Sequence, residues 1–286
     1  MGQQEAIQKR RPQTLGFVAE AQERLGALPV QQTMREAWLS HADIREGHRI
    51  LEVGCGTGVV TRDLAARVGP FGKVTAIEPS ESLLRVAARI ADDAGLATRI
   101  QFRLGDVLAL DLPPNAYDGV VASMLFQHIA DQRTALQQLR RVLRPGARFV
   151  AFEQDMESLS VDHPDRALTR IILQNGAERH VLSPDAAKRL PGLCTELGFV
   201  DVEVLTFLQA ERTEGYLLEL LGRLAQLAVV HGRARPENAR AWMDTLAEKA
   251  QDGTFFASFP HYAILAQKPP FGAQRERDPE ADPDDR

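Results

Sequence analysis

The chain reads as an α/β protein: a doubly wound, seven-stranded, mostly parallel sheet with helices on both faces. Two observations carry this. From Arg49 onward, short apolar runs alternate with segments of helical period. The first run, Ile50-Leu51-Glu52-Val53, leads into glycines at alternate positions, Gly54, Gly56 and Gly58. A helical pattern follows at once, with Val59, Val60, Leu64 and Val68 on one face. Strand, tight turn and helix start in that order place unpaired N–H groups and a positive dipole end beside a glycine surface.

Composition sets the outer bounds. The 286 residues are 44% hydrophobic and 26% charged, with a net charge of −5. This is ordinary globular material with no general attraction for nucleic acid or an anionic membrane. The one basic run is Lys9-Arg10-Arg11, and no apolar core follows it, so neither a signal peptide nor a membrane span is expected. Cys55 and Cys194 lie far apart, which predicts no disulfide and a cytoplasmic home. No His-x-x-x-His spacing occurs among His163, His180, His231 and His261, so a metal-independent protein is expected.

In chain order, residues 1–13 are polar and read as a flexible tail, and the main domain spans 14–269. Residues 13–42 carry two helices broken near Gly26 and Pro29. Strand one covers 49–53, helix 57–68 follows, and strand two covers 73–77, ending at Glu78-Pro79-Ser80, where Ser80 suits a helix N-cap. Glu78 lies about twenty residues past the glycine loop, placed to accept hydrogen bonds from two neighbouring ribose hydroxyls. Strand three (100–104) runs into Gly105-Asp106-Val107, and strand four covers 117–123. The next helix stops at Leu143-Arg144-Pro145-Gly146 before strand five at 148–153. Residues 157–183 read as an irregular, partly helical connection, with helix signals around Ala167 to Leu173. A helix at 185–197 and strand six at 200–207 come next, then amphipathic helices at 216–230 and 236–250, and strand seven at 254–268. The two helices between strands six and seven predict a cap at about 209–252, and the Pro- and acid-rich residues 270–286 a disordered tail.

The acid before the loop and the Gly-x-Gly-x-Gly spacing separate this segment from dinucleotide sites, which space glycines G-x-G-x-x-G. Glu52-Val53-Gly54-Cys55-Gly56-Thr57-Gly58, Glu78, Gly105-Asp106-Val107, Asp118 and Leu143-Arg144-Pro145-Gly146 together resemble the class I S-adenosylmethionine-dependent methyltransferases. Within them the chain looks most like the small-molecule enzymes of menaquinone and ubiquinone biosynthesis. The resemblance implies S-adenosylmethionine as cofactor. It also implies that the N-terminal helices close over it, that Gly105, Asp106 and Val107 recognise adenine, and that Asp118 is mainly structural. The implied cofactor set is Glu52, Gly54, Cys55, Gly56, Gly58, Glu78, Pro79, Gly105, Asp106, Val107 and Ser123.

After strand four, Ser123-Met124-Leu125-Phe126-Gln127-His128 lacks the Asn/Asp-Pro-Pro-Tyr/Phe element that grips exocyclic amines of bases. It resembles the family's small-molecule branch. His128 is the leading candidate base, because an imidazole titrates near neutrality. Asp155 is the second, and Glu153 faces the same side of the sheet. Phe17, Trp38, Phe126, Tyr216 and Trp242 lean toward an apolar or aromatic acceptor, bound by a monomer or homodimer. A cofactor-binding cyclase or scaffold without methyl transfer is the alternative. A nicotinamide-dependent oxidoreductase is disfavoured by the glycine spacing and by Glu52.

Overall fold

The computed structural model describes residues 12–272, with side chains from residue 16. The expected tails at 1–11 and 273–286 lie outside the described residues. The elements in order are α1 (Pro12–Gly26), α2 (Pro29–Ser40), β1 (Arg49–Val53), α3 (Val59–Arg67), β2 (Lys73–Glu78), α4 (Glu81–Asp93), β3 (Ile100–Leu104), β4 (Tyr117–Ser123), α5 (Gln132–Val142) and β5 (Leu143–Gln154). Then come β6 (Ser160–Val161), α6 (Arg166–His180), α7 (Ala186–Glu196), β7 (Val200–Glu211), α8 (Tyr216–Val230), α9 (Pro236–Gln251) and β8 (Ala257–Gln267).

One sheet holds all the described strands. β3, β2, β1, β4 and β5 lie side by side in that order and parallel. β8 runs antiparallel between β5 and β7, and where β5 has ended, β6 pairs with Ala257 and Ser258. The chain leaves β1 toward β2 and β3, then returns to β4 on the other side. That reversal opens a crevice above the C-terminal ends of β1 and β4, where ligands bind in open α/β sheets.

Strand alternation sorts the core into two layers. Leu51, Val53, Val120, Ala122, Phe149 and Ala151 pack under α5 and α7. Ile50, Val74, Val121, Val150 and Phe152 face α2 and α3, where Trp38 stacks on Phe152 at 5.6 Å. A third core lies off the sheet, where α6, α8 and α9 enclose Ile172, Leu220, Leu221, Leu224, Trp242 and Phe255. Gly176 brings α6 against α8: a Cβ there would stand 2.8 Å from Leu224.

Four expectations are corrected. The sheet gains an eighth, two-residue strand, β6, too short to leave a periodic signal. Residues 157–183 are not mainly irregular: α6 spans Arg166–His180, capped by the Asp165 carboxylate on Leu168 N–H. The cap is therefore wider than 209–252, since α6 shares its core. Leu143-Arg144-Pro145-Gly146 is already strand, because Leu143 pairs with Tyr117.

Candidate active site

The glycine loop lies at the C-terminal end of β1. Gly54, Gly56 and Gly58 have φ of 72°, 54° and 81°, a region that other residues enter only with strain. Gly54 N–H and Cys55 N–H both donate to Ile77 O, at 2.8 and 3.1 Å, pinning the loop to β2. A Cβ on Gly54 would come within 2.7 Å of Leu125, and one on Gly56 within 2.5 Å of Gln22. What covers the glycine surface is thus the tips of two flexible side chains. A ligand can displace them where it could not displace backbone, so the loop fits a group that needs close main-chain approach.

The acids sit in unlike settings. Glu78 is buried at the end of β2, its carboxylate accepting from Gly56 N–H and Ser80 N–H, both at 3.1 Å. Burial raises its pKa against those two bonds. Pro79 is half-buried beside it. Asp106 follows β3, with half-buried Gly105 before it and buried Val107 after it, and accepts from Leu108 N–H at 2.9 Å. Glu52 differs. Strand alternation turns it under α3 with Ile50, where Thr61 Oγ1 donates to it at 2.5 Å. Burial lifts its pKa to about 8. It is a buried, protonated brace at neutral pH. Cys55 is buried as well, and desolvation holds its thiol protonated.

At the end of β4, half-buried Ser123 leads to Met124 at φ 52°, a left-handed backbone without glycine. Strain of about 1–3 kcal/mol at such a residue persists only where neighbours over-determine it. Here Glu153 does so. Its Oε1 accepts from Leu125 N–H and Phe126 N–H, both at 2.8 Å, and its Oε2 from Gln127 N–H at 3.4 Å. Burial raises its pKa to about 7. Glu153 is therefore the carboxylate that shapes the turn, both of its oxygens taken up by backbone N–H groups. His128 ends the turn and is exposed. Asp155 does share the Glu153 face, but it is fully buried, with Lys188 Nζ of α7 at 3.2 Å. Of the five aromatic residues, Trp38, Phe126 and Trp242 are core; Phe17 is exposed and Tyr216 half-buried.

The resemblance implies that the N-terminal helices close over the loop, and α1 supplies the contacts. Thr57 N–H donates to Gln22 Oε1 at 3.0 Å, and Arg62 of α3 pairs with Glu23 at 2.7 Å. A Cβ on Gly26 would stand 2.6 Å from Val59. So α1 lies across the loop, while Arg24 pairs with Glu219 of α8 at 2.5 Å. Thus α1 touches both the loop and α8. A glutamine in an amphipathic helix carries no motif, and no spacing could have singled it out. Among the described residues, no group of three His, Cys, Asp or Glu is arranged to hold a metal, and no helix is long and apolar enough to cross a membrane.

A methyltransferase-domain family model matches residues 50–146, from β1 into β5. A protein of uncharacterised role encoded in transposon TN4556 of Streptomyces fradiae is 30% identical over 250 residues, 87% of this chain and 70% of that one. The demethylmenaquinone methyltransferase of Symbiobacterium thermophilum is 35% identical over 116 residues, 41% of this chain and 46% of that enzyme. The chain thus spans under half the length of this quinone-methylating relative. A solved methyltransferase structure from Bacillus halodurans superposes with a TM-score of 0.57 at 17% identity, covering 82% of this chain and 98% of that one, a likeness of fold.

The chain belongs to the class I S-adenosylmethionine-dependent methyltransferases, and S-adenosylmethionine is its cofactor. Within that class it is similar to the methyltransferases of menaquinone and ubiquinone biosynthesis.

Proposed function

We propose that this chain methylates a small, largely apolar or aromatic acceptor held between the glycine loop and the helical cap. The observation that carries this reading is the placement of α1, which touches the loop through Gln22 and the cap through Arg24. A site bridged in this way suits a small molecule better than a polymer.

The cofactor supplies an electrophilic methyl group on a sulfonium. In this reading Gly54, Cys55, Gly56 and Gly58 offer main chain to its amino-acid end. Glu78, oriented by Gly56 and Ser80, takes the ribose hydroxyls, and the Pro79 turn holds it there. Gly105, Asp106 and Val107 face the adenine, and Ser123 lines the floor. Glu52 acts at one remove, by fixing the first turn of α3 through Thr61. Catalysis is then mainly positioning, worth several kcal/mol when reacting atoms are held in line. Where the acceptor must lose a proton, exposed His128 is better placed to take it than sealed Asp155, which we assign to anchoring α7 through Lys188.

Thermal shift with S-adenosylmethionine, its demethylated product and NAD tests the cofactor half. Saturation at about 100 times Kd adds about 2.7 kcal/mol of stability. Stabilisation by NAD alone would overturn the reading. Transfer of labelled methyl into a panel of phenols, quinols and amines tests the rest. Cofactor binding with no transfer to any acceptor would favour the cyclase or scaffold alternative.

A further inference from the structure

A cavity of about 760 Å³ lies between α6 and residues 157–163, and no residue of the cofactor set lines it. One face of α6 forms a wall, where Arg166, Thr169, Arg170, Leu173, Gln174 and Ala177 follow one another at helical spacing. Another face of α6 is spent on α8, through Gly176 and Leu224. Across the cavity stand Leu159, Val161 and Phe256, and the Phe256 side chain is 44% exposed. The volume suits a small organic molecule.

The charges around this space do not balance. Glu157 pairs with Lys188 at 2.6 Å, and Asp162 pairs with Lys249. Neither lysine lines the cavity. Lys249 foremost and Arg166 least hold the Asp162 carboxyl below its usual range. Yet among the described residues no carboxylate lies within ion-pair distance of Arg166 or Arg170. Glu178 is the remaining acid, and it accepts from Gln174 Nε2 at 3.3 Å. Two guanidinium groups against one carboxylate leave a single positive charge in excess. His163 adds none: it is buried, its Nδ1 accepts from Asp165 N–H at 3.0 Å, and burial lowers its pKa.

The two arginines also work against their own helix. They stand one turn apart, where like charges repel. Arg166 places a cation in the first turn, at the positive end of the dipole. An anion held between them would relieve both effects, and a guanidinium offers a carboxylate two parallel donors.

We propose that this cavity is a second ligand site, which binds a monocarboxylate with an apolar body. Arg166 and Arg170 hold the carboxylate, and Leu159, Val161, Leu173 and Phe256 receive the body. The single excess charge favours a carboxylate over a phosphate monoester, which carries nearly two negative charges. The site is independent of methyl transfer, and binding there makes and breaks no covalent bond.

Octanoate, octanamide, octyl phosphate and acetate are the probes. Each is titrated by calorimetry into the full chain saturated with S-adenosylhomocysteine, which keeps the cofactor site filled. Octanoate should bind with a Kd of about 1 mM or tighter. Octyl phosphate should bind more weakly, octanamide about tenfold more weakly, and acetate not measurably. Arg166→Gln and Arg170→Gln should each weaken octanoate binding about fivefold, and the double variant more. Both positions are exposed, and S-adenosylhomocysteine affinity within about twofold of the parent reports that the variants fold. Hydrogen exchange with octanoate bound should slow in α6 and β6 and stay unchanged at the glycine loop. Equal binding of octanoate and octanamide overturns the proposal, as does tighter binding of octyl phosphate. So does an octanoate affinity that survives the double variant, protection at the glycine loop instead of α6, or no octanoate binding up to about 10 mM.

Discussion

On the proposed function, the sheet half and the helical cap would meet their ligands by opposite means. At the sheet, the contact surface is main chain: three glycines with left-handed φ, pinned to β2 and overlaid by the movable tips of Leu125 and Gln22. In the cap, the contact surface is side chains on helices that own a separate core around Trp242, Leu221 and Leu224. Main-chain recognition needs particular residue types at fixed spacing. Side-chain recognition needs only that some helix present some group at the right place. The first can serve a cofactor that never changes; the second can be rebuilt for each acceptor.

The largest expected effect breaks the first half of this contrast alone. Gly54→Val places a branched side chain at φ 72° where even a Cβ meets Leu125 at 2.7 Å. Backbone strain of about 1–3 kcal/mol and the blocked surface should together weaken S-adenosylmethionine binding by about 100-fold or more. Equilibrium dialysis measures it. Affinity within twofold of the parent would mean that the loop is not the recognition surface.

Trp242→Ala strikes the other half. The indole is buried at 1% exposure, donates to Thr169 Oγ1 at 2.9 Å and packs beside His163 at 5.2 Å. Its removal should cost about 3–5 kcal/mol. Because the cap has its own core, hydrogen exchange should quicken in α6, α8 and α9 while β1 and β4 stay protected and cofactor still binds. Uniform loss of protection across the chain would show that the two cores are one cooperative unit.

A third difference is electrostatic. Glu52 and Glu153, both on the sheet, are buried acids with pKa values raised to about 8 and about 7. The folded state therefore holds protons that the unfolded chain has released, and stability falls as pH rises through those values. His261 is the opposite case: burial lowers its pKa to about 4, so its contribution is present above about pH 6.5 and lost toward acid. Between pH 6.5 and 8 the two acids dominate, and they should cost about 2 kcal/mol, most of it through Glu52. Glu52→Gln, which imitates the protonated acid, should flatten that fall in a denaturant series. An equal slope in the variant would place the titration elsewhere.

This contrast also explains what could be read from the sequence. The positions of the loop, Glu78 and the Gly105-Asp106 turn at strand ends were legible, because residue type and spacing there are imposed by backbone geometry. The two cap helices between β7 and β8 were legible from their leucine spacing. The part that α6 plays in the cap was not, because Arg166–His180 shows its apolar side only against α8. The turn contacts of Glu153 were not legible for a related reason: a buried acid that accepts three backbone N–H groups looks, in sequence, like any other acid at a strand end. Of the five aromatics taken as acceptor contacts, three proved to be core, since an aromatic residue at helical spacing is most often there to be buried.

The smallest expected effect tests the join between the halves. Arg24 and Glu219 tie α1 to α8, yet their side chains are 59% and 47% exposed. An exposed ion pair contributes about 0.2–1 kcal/mol, and salt screens it further. A double-mutant cycle of Arg24→Ala and Glu219→Ala should give a coupling in that range that fades by 1 M salt. The pair's value then lies in where it holds α1 and not in how strongly. If so, breaking it should raise the dissociation rates of acceptor and cofactor together while the melting temperature hardly moves. A coupling several times larger would make α1 a structural strut, and the cleft a fixed cavity with no closing wall.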